Sequence, residues 1–220
     1  MELCNIDIHN ILKILKKLSG KRPIFHSEAD FQHALAWELH ETCNNADIRL
    51  EKRFSINCFS DVYVDILFTE KENIAIELKY TTKELHTTIN NESFSIKNHD
   101  AYDIRRYDFL LDIYRLQTLK RKGLINMGYA IFLTNATAYW NKPRKPNTND
   151  KDFRIHENRT IQANKKLTWA KGTGSGTSKG RTMPLIFRNS YTFNWKSYSD
   201  VCKFCNNKKY CKFKYLLVEV

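Results

Sequence analysis

The feature that most constrains the fold is the run Met127-Gly-Tyr-Ala-Ile-Phe-Leu-Thr134, eight residues without a charge that follow a long helical pattern. A strand apolar on both faces needs a packed layer on each side, which points to a parallel strand inside an α/β sheet. The preceding segments supply such layers. Residues 5 to 18 bring Ile8, Ile11, Leu12, Leu15 and Leu18 to one helical face with Lys13, Lys16 and Lys17 opposite, and Ser19-Gly20 marks the end. A second helix starts at the N-cap Ser27, with Asp30 in the capping-box position and Glu28 in the first turn, and continues through Phe31, Ala34, Leu35 and Leu39.

Three strand patterns follow over residues 48 to 56, 62 to 68 and 73 to 80, joined closely enough that an antiparallel meander is the economical arrangement. After a polar stretch at 83 to 100, residues 101 to 122 keep Ile104, Tyr107, Leu111, Tyr114 and Leu119 near helical spacing, and Gly123 stops the helix. The expected order is helix, helix, three strands, helix, strand: an α/β domain with a central mixed β-sheet flanked by helices. Residues 141 to 182 are rich in Lys, Arg and Gly and read as a long mobile loop, and strands are expected at 185 to 187, 191 to 195 and 214 to 220. The glycines from 172 to 180 lack the preceding strand and the Gly-Lys-Ser/Thr ending of a phosphate cradle, which argues against nucleotide binding.

Composition narrows the class. With 220 residues, 42% hydrophobic and 13% aromatic, the chain can build a core of ordinary size, which excludes wholesale disorder. No apolar run approaches the roughly 20 residues of a membrane span, and no leader pattern opens the chain, so a cytoplasmic protein that does not engage a membrane is expected. Six cysteines in a chain this size read as reduced thiols. Cys202, Cys205 and Cys211 are three ligands where a closed zinc site needs four, and His156 or Cys58 would have to complete it. Ordinary thiols are therefore expected over structural zinc.

Charge is divided unevenly. Residues 1 to 135 hold 18 Lys and Arg against 19 Asp and Glu, whereas residues 136 to 220 hold 18 against 5. Such a basic extension points to a polyanionic partner, nucleic acid first. Lys165, Lys166 and Lys171 are candidate phosphate contacts within it, and Arg106 or Tyr107 is a candidate on the helix at 101 to 122, whose mixed charges otherwise suit intrahelical pairs. Trp140, Phe153, Trp169, Tyr191, Trp195 and Tyr198 suit base stacking or core packing, with packing expected for Tyr191 and Trp195.

The chemistry is carried by Asp65, Glu77 and Lys79, ionisable groups within segments that otherwise read as buried strand. A charge there is costly unless paired or bound to an ion. Alternation puts Glu77 and Lys79 on one face, roughly 7 Å apart, with Ile74, Ile76 and Leu78 on the other. If the second and third strands pair, Asp65 lies beside Glu77, and two adjacent carboxylates suit a hard cation such as Mg²⁺ or Mn²⁺. A lysine beside that ion can orient or deprotonate water and steady phosphoryl charge. The plain alternative is a set of cross-strand salt bridges, with Glu28 favouring a helix N-terminus by its charge.

Asp65, eleven residues, then Glu77-Leu78-Lys79 resembles the signature of the PD-(D/E)XK nuclease superfamily, over roughly residues 24 to 135, with Val64 where that signature has Pro. The resemblance implies a restriction-endonuclease-like αβββαβ core, here within 1 to 135; residues 136 to 220 are expected, as a basic extension, to pack on the same domain. It implies metal binding by Asp65, Glu77 and the Leu78 carbonyl, water activation by Lys79, and an added acidic ligand from the first helix, which Glu28 matches. Gln32 lies one turn beyond Glu28, and Glu51 on the first strand reads as exposed or salt-bridged. The activity implied is Mg²⁺-dependent hydrolysis of phosphodiester bonds, with DNA favoured over RNA, and a homodimer would account for double-strand cutting. The rivals are a nuclease-fold protein that binds nucleic acid without cutting and a nucleotide-dependent transferase.

Overall fold

The computed structural model describes residues 6–56, 61–206 and 208–220. Cys4 and Cys58, and the start of the first helix at residue 5, lie outside them. Six strands form one mixed sheet in the order β1 (Asp47–Phe54), β2 (Val62–Thr69), β3 (Asn73–Thr81), β6 (Met127–Thr134), β12 (Lys212–Glu219), β11 (Trp195–Asp200). The strands β1, β2 and β3 form an antiparallel meander, β6 runs parallel to β3, and β12 and β11 continue the sheet antiparallel. The apolar run 127 to 134 therefore occupies a central strand, and from Gly128 to Thr134 every residue is buried. The C-terminal strands belong to the same sheet as the meander.

One layer is built by α1 (Ile8–Lys21) and α2 (Glu28–Thr42), the other by α3 (Tyr102–Arg121) together with the chain from 136 to 195. In α1, Ile11, Ile14, Leu15 and Leu18 are buried, and the helix runs through Ser19-Gly20 to Lys21. Its lysines hold α2: Lys17 and Lys21 both pair with the buried Glu38, Lys17 at 2.8 Å. Ser27 caps α2 by accepting from Asp30 N at 3.1 Å, as the sequence implies. The apolar face of α3 is centred on Phe109, Ile113 and Leu116, with Ile104, Leu111 and Tyr114 only half-buried. It lies so close to β6 that a Cβ on Gly128 would sit 3.0 Å from Leu116 Cβ.

The polar stretch at 83 to 100 is a hairpin, β4 (Leu85–Ile89) and β5 (Glu92–Ile96). It turns at Asn90 and Asn91, both left-handed at φ 50° and 66°, and packs Leu85, Ile89, Phe94 and Ile96 into the α1/α2 layer. The segment 141 to 182 also departs from expectation. Phe153, Ile155, Ile161 and Leu167 are buried along it, and it joins two short ladders, β7 (Thr160–Ile161) with β10 (Tyr191–Thr192) and β8 (Lys166–Leu167) with β9 (Leu185–Ile186). The glycine-rich part holds one helical turn, α4 (Ser175–Ser178). Apolar anchors spaced several residues apart tie the segment down although its composition is that of a loop.

Cys202 and Cys211 form a disulfide across the loop before β12, which corrects the expectation of reduced thiols, while Cys205 is buried and free. Their sulfurs and an Asp200 oxygen lie within 4.8 Å of one another. Among the described residues no helix is long and apolar enough to cross a membrane.

Candidate active site

The site forms where the sheet splits. The β2–β3 ladder ends at Ile66 opposite Ile76, whereas β3 stays paired with β6 as far as Thr81. Beyond that point β2 changes face: Val64 packs on the α3 side and Ile66 on the α1/α2 side, although alternation would keep them together. The distortion extends to β1, where Glu51 is left-handed at φ 52° and is skipped in the ladder opposite Asp65. A non-glycine residue held in this conformation costs about 1 to 3 kcal/mol, and such strain gathers at functional sites.

The split leaves β3 donors that need partners, and carboxylates supply them. Leu78 N donates to Asp65 Oδ2 at 2.5 Å, and Tyr80 N donates to Glu28 Oε2 at 2.6 Å. Gln32 Nε2 donates to the Asp65 carbonyl at 2.6 Å and to Glu51 Oε1 at 2.9 Å, fixing β2 against α2. Glu77 is buried, and its Oε1 has no hydrogen-bond partner. The Lys79 ammonium lies 3.1 Å from the Leu78 carbonyl and 2.8 Å from Asp112 Oδ2, not on Asp65. Asp112, buried on α3, is also held by Arg115 at 3.2 Å.

The electrostatics follow from this crowding. Burial raises the Asp65 carboxyl to about 6 in spite of Lys79 and the Leu78 N–H. Burial, then Asp112 and Asp65, push Glu77 well above the carboxylate range. Burial pulls Lys79 down, but Asp112, Glu28 and Glu77 more than offset it, so its pKa is raised and the ammonium stays charged. A protonated lysine can donate and attract but cannot accept a proton, so only the orienting and charge-stabilising parts of its expected role fit.

The structure thus brings together Glu28, Asp65, Glu77, Lys79 and the Leu78 carbonyl, with Gln32 and Glu51 behind them. It adds Asp112 from α3, a helix whose mixed charges suit intrahelical pairs and whose Asp112 does pair with Arg115. The signal was present: Asp112 shares a face with Phe109, Ile113 and Leu116, so a charge at that position is buried.

The expected nucleic-acid contact at Arg106 is contradicted. Arg106 is 3% exposed and bonds the buried Asp150 at 2.7 Å and the Ala138 carbonyl at 2.7 Å. Tyr107 is likewise buried and donates to the Met183 carbonyl. Lys165, Lys166 and Lys171 are exposed, without an acidic partner among the described residues. Several arginines of the basic extension turn inward instead: Arg154 pairs with Asp150, Arg181 with Asp108, and Arg159 donates to the carbonyls of Lys151 and Asp152. Of the six aromatics, Phe153, Tyr191, Trp195 and Tyr198 are buried, and Trp169 and Trp140 pack on Tyr107 and Trp195.

The donor set has the chemistry of a divalent-cation site, hard carboxylate and carbonyl oxygens, although among the described residues these carboxylates are not drawn together into a ligand group as Asp200, Cys202 and Cys211 are. Glu28, Asp65, Glu77 and Asp112 are four carboxylates facing two cations, Lys79 and Arg115, and the unpartnered Glu77 oxygen adjoins the Leu78 carbonyl in sequence. Hard oxygen donors match Mg²⁺ or Mn²⁺ better than a soft-ligand metal. Comparisons with protein families, with curated proteins and with solved structures give no match to this chain.

Proposed function

We propose that this chain is a divalent-metal-dependent nuclease of the PD-(D/E)XK kind, with a restriction-endonuclease-like core and DNA as the favoured substrate. The observation that carries the reading is the buried Glu77, with an unpartnered oxygen, beside the half-buried Asp65 where the sheet splits. Burial and the neighbouring carboxylates oppose ionisation of both groups, a cost that a bound cation would offset. Asp65, Glu77 and the Leu78 carbonyl would hold the ion, with Glu28 beside them. When bound, Mg²⁺ or Mn²⁺ supplies Lewis-acid activation of water and neutralises charge on the phosphoryl group.

The chain's own residues do the rest. Asp112 holds the Lys79 ammonium near the Leu78 carbonyl, where it can orient the attacking water and stabilise charge on a non-bridging phosphate oxygen. Gln32 and Glu51 keep the distorted part of β2 aimed at β3. Water adds to phosphorus in line with the leaving oxygen, the bond to the 3′ oxygen breaks, and the products are a 5′-phosphate and a 3′-hydroxyl that takes up a proton.

The test is incubation with plasmid DNA, single-stranded DNA and RNA in Mg²⁺, Mn²⁺ or EDTA. Cleavage is expected with either metal and not with EDTA. Asp65→Asn and Lys79→Ala are each expected to lower the rate by at least about 100-fold, the range for loss of one electrostatic or acid–base group. Cleavage in EDTA, or full activity of either variant, would overturn the assignment.

A further inference from the structure

A polar cleft of about 400 Å³ opens beside Glu28, between the start of α2, the end of β3, the exit of the β4–β5 hairpin and the first turn of α3. Apart from Glu28, its walls carry Ser27, Lys97, His99 and Arg105 as groups able to donate. Their arrangement is fixed. Thr82 N donates to His99 Nδ1 at 3.0 Å, which requires a lone pair on that nitrogen, so the imidazole is neutral and carries its proton on Nε2. His99 N returns a bond to the Thr82 carbonyl at 2.7 Å, and Thr82 Oγ1 donates to the Lys97 carbonyl at 2.8 Å. The chain leaving β5 is thereby clamped to the residue that follows β3.

Two cations complete the wall. Arg105 is half-buried, and its guanidinium has no ion pair or hydrogen bond among the described residues, in contrast to its neighbour Arg106. Lys97 is exposed and also without an acidic partner among the described residues. Ala101 enters α3 in the left-handed region at φ 61°, and Arg105 N bonds its carbonyl at 3.0 Å, so a strained residue sets the direction of the turn that carries Arg105. Burial first, then Arg105 and Lys97, lower the His99 pKa against the opposing Glu28 carboxylate, in agreement with the neutral tautomer.

We infer that this cleft binds a backbone phosphate of the nucleic acid next to the one being cut, with Arg105 and Lys97 supplying charge and the His99 Nε2–H a directional hydrogen bond. A neutral N–H beside two unpaired cations suits a singly charged phosphodiester, and Glu28, shared with the carboxylate cluster, sets the cleft against the reacting centre. The inference rests on the nuclease reading for its substrate. It places the strand across the hairpin and α3, independently of the lysines at 165 to 171.

The test measures binding of a labelled DNA duplex, its single strand and the RNA equivalent in EDTA, as a function of salt, with Mn²⁺ calorimetry and cleavage run alongside. Arg105→Gln is expected to weaken binding roughly tenfold and to make the salt slope shallower by about one. Arg105→Lys is expected to keep the slope. His99→Asn retains an acceptor for Thr82 N but removes the Nε2–H, and should weaken binding by about three- to tenfold with the slope unchanged. Mn²⁺ affinity should be the same in all three. If Arg105→Gln and His99→Asn bind with parental affinity and slope, the cleft holds no phosphate, and a parent that still cleaves keeps the nuclease reading intact. A parent that takes up no Mn²⁺ and cuts nothing sinks the nuclease reading, while the binding comparison still decides the cleft. A parent with no nucleic-acid affinity overturns both.

Discussion

Glu77 differs from an ordinary buried ion-pair partner, since its Oε1 has no hydrogen-bond partner. Its charge is opposed by burial and by Asp112 and Asp65, so in the metal-free protein ionisation should oppose folding. For Asp65 the window is explicit: the unfolded group titrates near 3.8 and the folded one near 6. The native state therefore holds more protons than the unfolded chain between those values, and stability should fall as pH rises through the window, by roughly 3 kcal/mol for Asp65 alone. Denaturant titrations in EDTA at pH 4 and pH 7 would show it, and saturating Mn²⁺ should remove the loss. Glu77→Gln should then stabilise the metal-free protein at pH 7 while lowering metal affinity; a Glu77 that serves only as a structural partner would give destabilisation instead. Arg106 makes the opposite case. Arg106→Gln leaves the buried Asp150 with Arg154 as its remaining cation and should cost about 1 to 3 kcal/mol, with no change in the salt slope of binding. Asp65, Glu77 and Lys79 were legible in the sequence because an ionisable group in an apolar strand is conspicuous. Arg105 and Arg106 were not separable there, since one residue turns a helix by about 100° and only packing shows which side is buried.

Among the elements, α3 joins the layers to the site. It carries Asp112 toward β3 and Arg105 toward the hairpin cleft, and its distance from β6 is set by the absence of a side chain at Gly128. Gly128→Ala must push back Leu116, and a loss of roughly 1 to 3 kcal/mol is expected by thermal or chemical denaturation, together with reduced activity as Asp112 is drawn from Lys79. An unchanged midpoint would mean that the helix yields easily and does not fix the site. The meander, α3 and β6 were readable from periodicity. The β4–β5 hairpin was overlooked because Thr87, Thr88, Ser93 and Ser95 make it look polar, although Leu85, Thr87 and Ile89 alternate inward and Asn90-Asn91 suits a turn with two left-handed residues. The segment 141 to 182 misled for the converse reason: its cations and glycines dominate the composition, while four well-spaced apolar residues determine where it packs.

For the molecule as a whole, the charge division along the chain overstates the free positive surface, since Arg154, Arg159 and Arg181 are engaged internally. The exposed lysines remain available. Replacing Lys165, Lys166 and Lys171 together by Gln should make the salt slope of DNA binding shallower by up to about 2 to 3 and leave Mn²⁺ affinity unchanged. An unchanged slope would confine the phosphate contacts to other surfaces. Whether the split sheet holds a divalent cation is decided by calorimetric titration of Mn²⁺ into the metal-free protein at pH 6, repeated in buffers of different ionisation enthalpy. Because burial raises both Asp65 and Glu77, metal binding near pH 6 should release protons to the buffer, and Glu77→Gln should abolish or greatly weaken the uptake. Uptake without proton release that persists in Glu77→Gln, or no uptake at all, would contradict a divalent-cation site there.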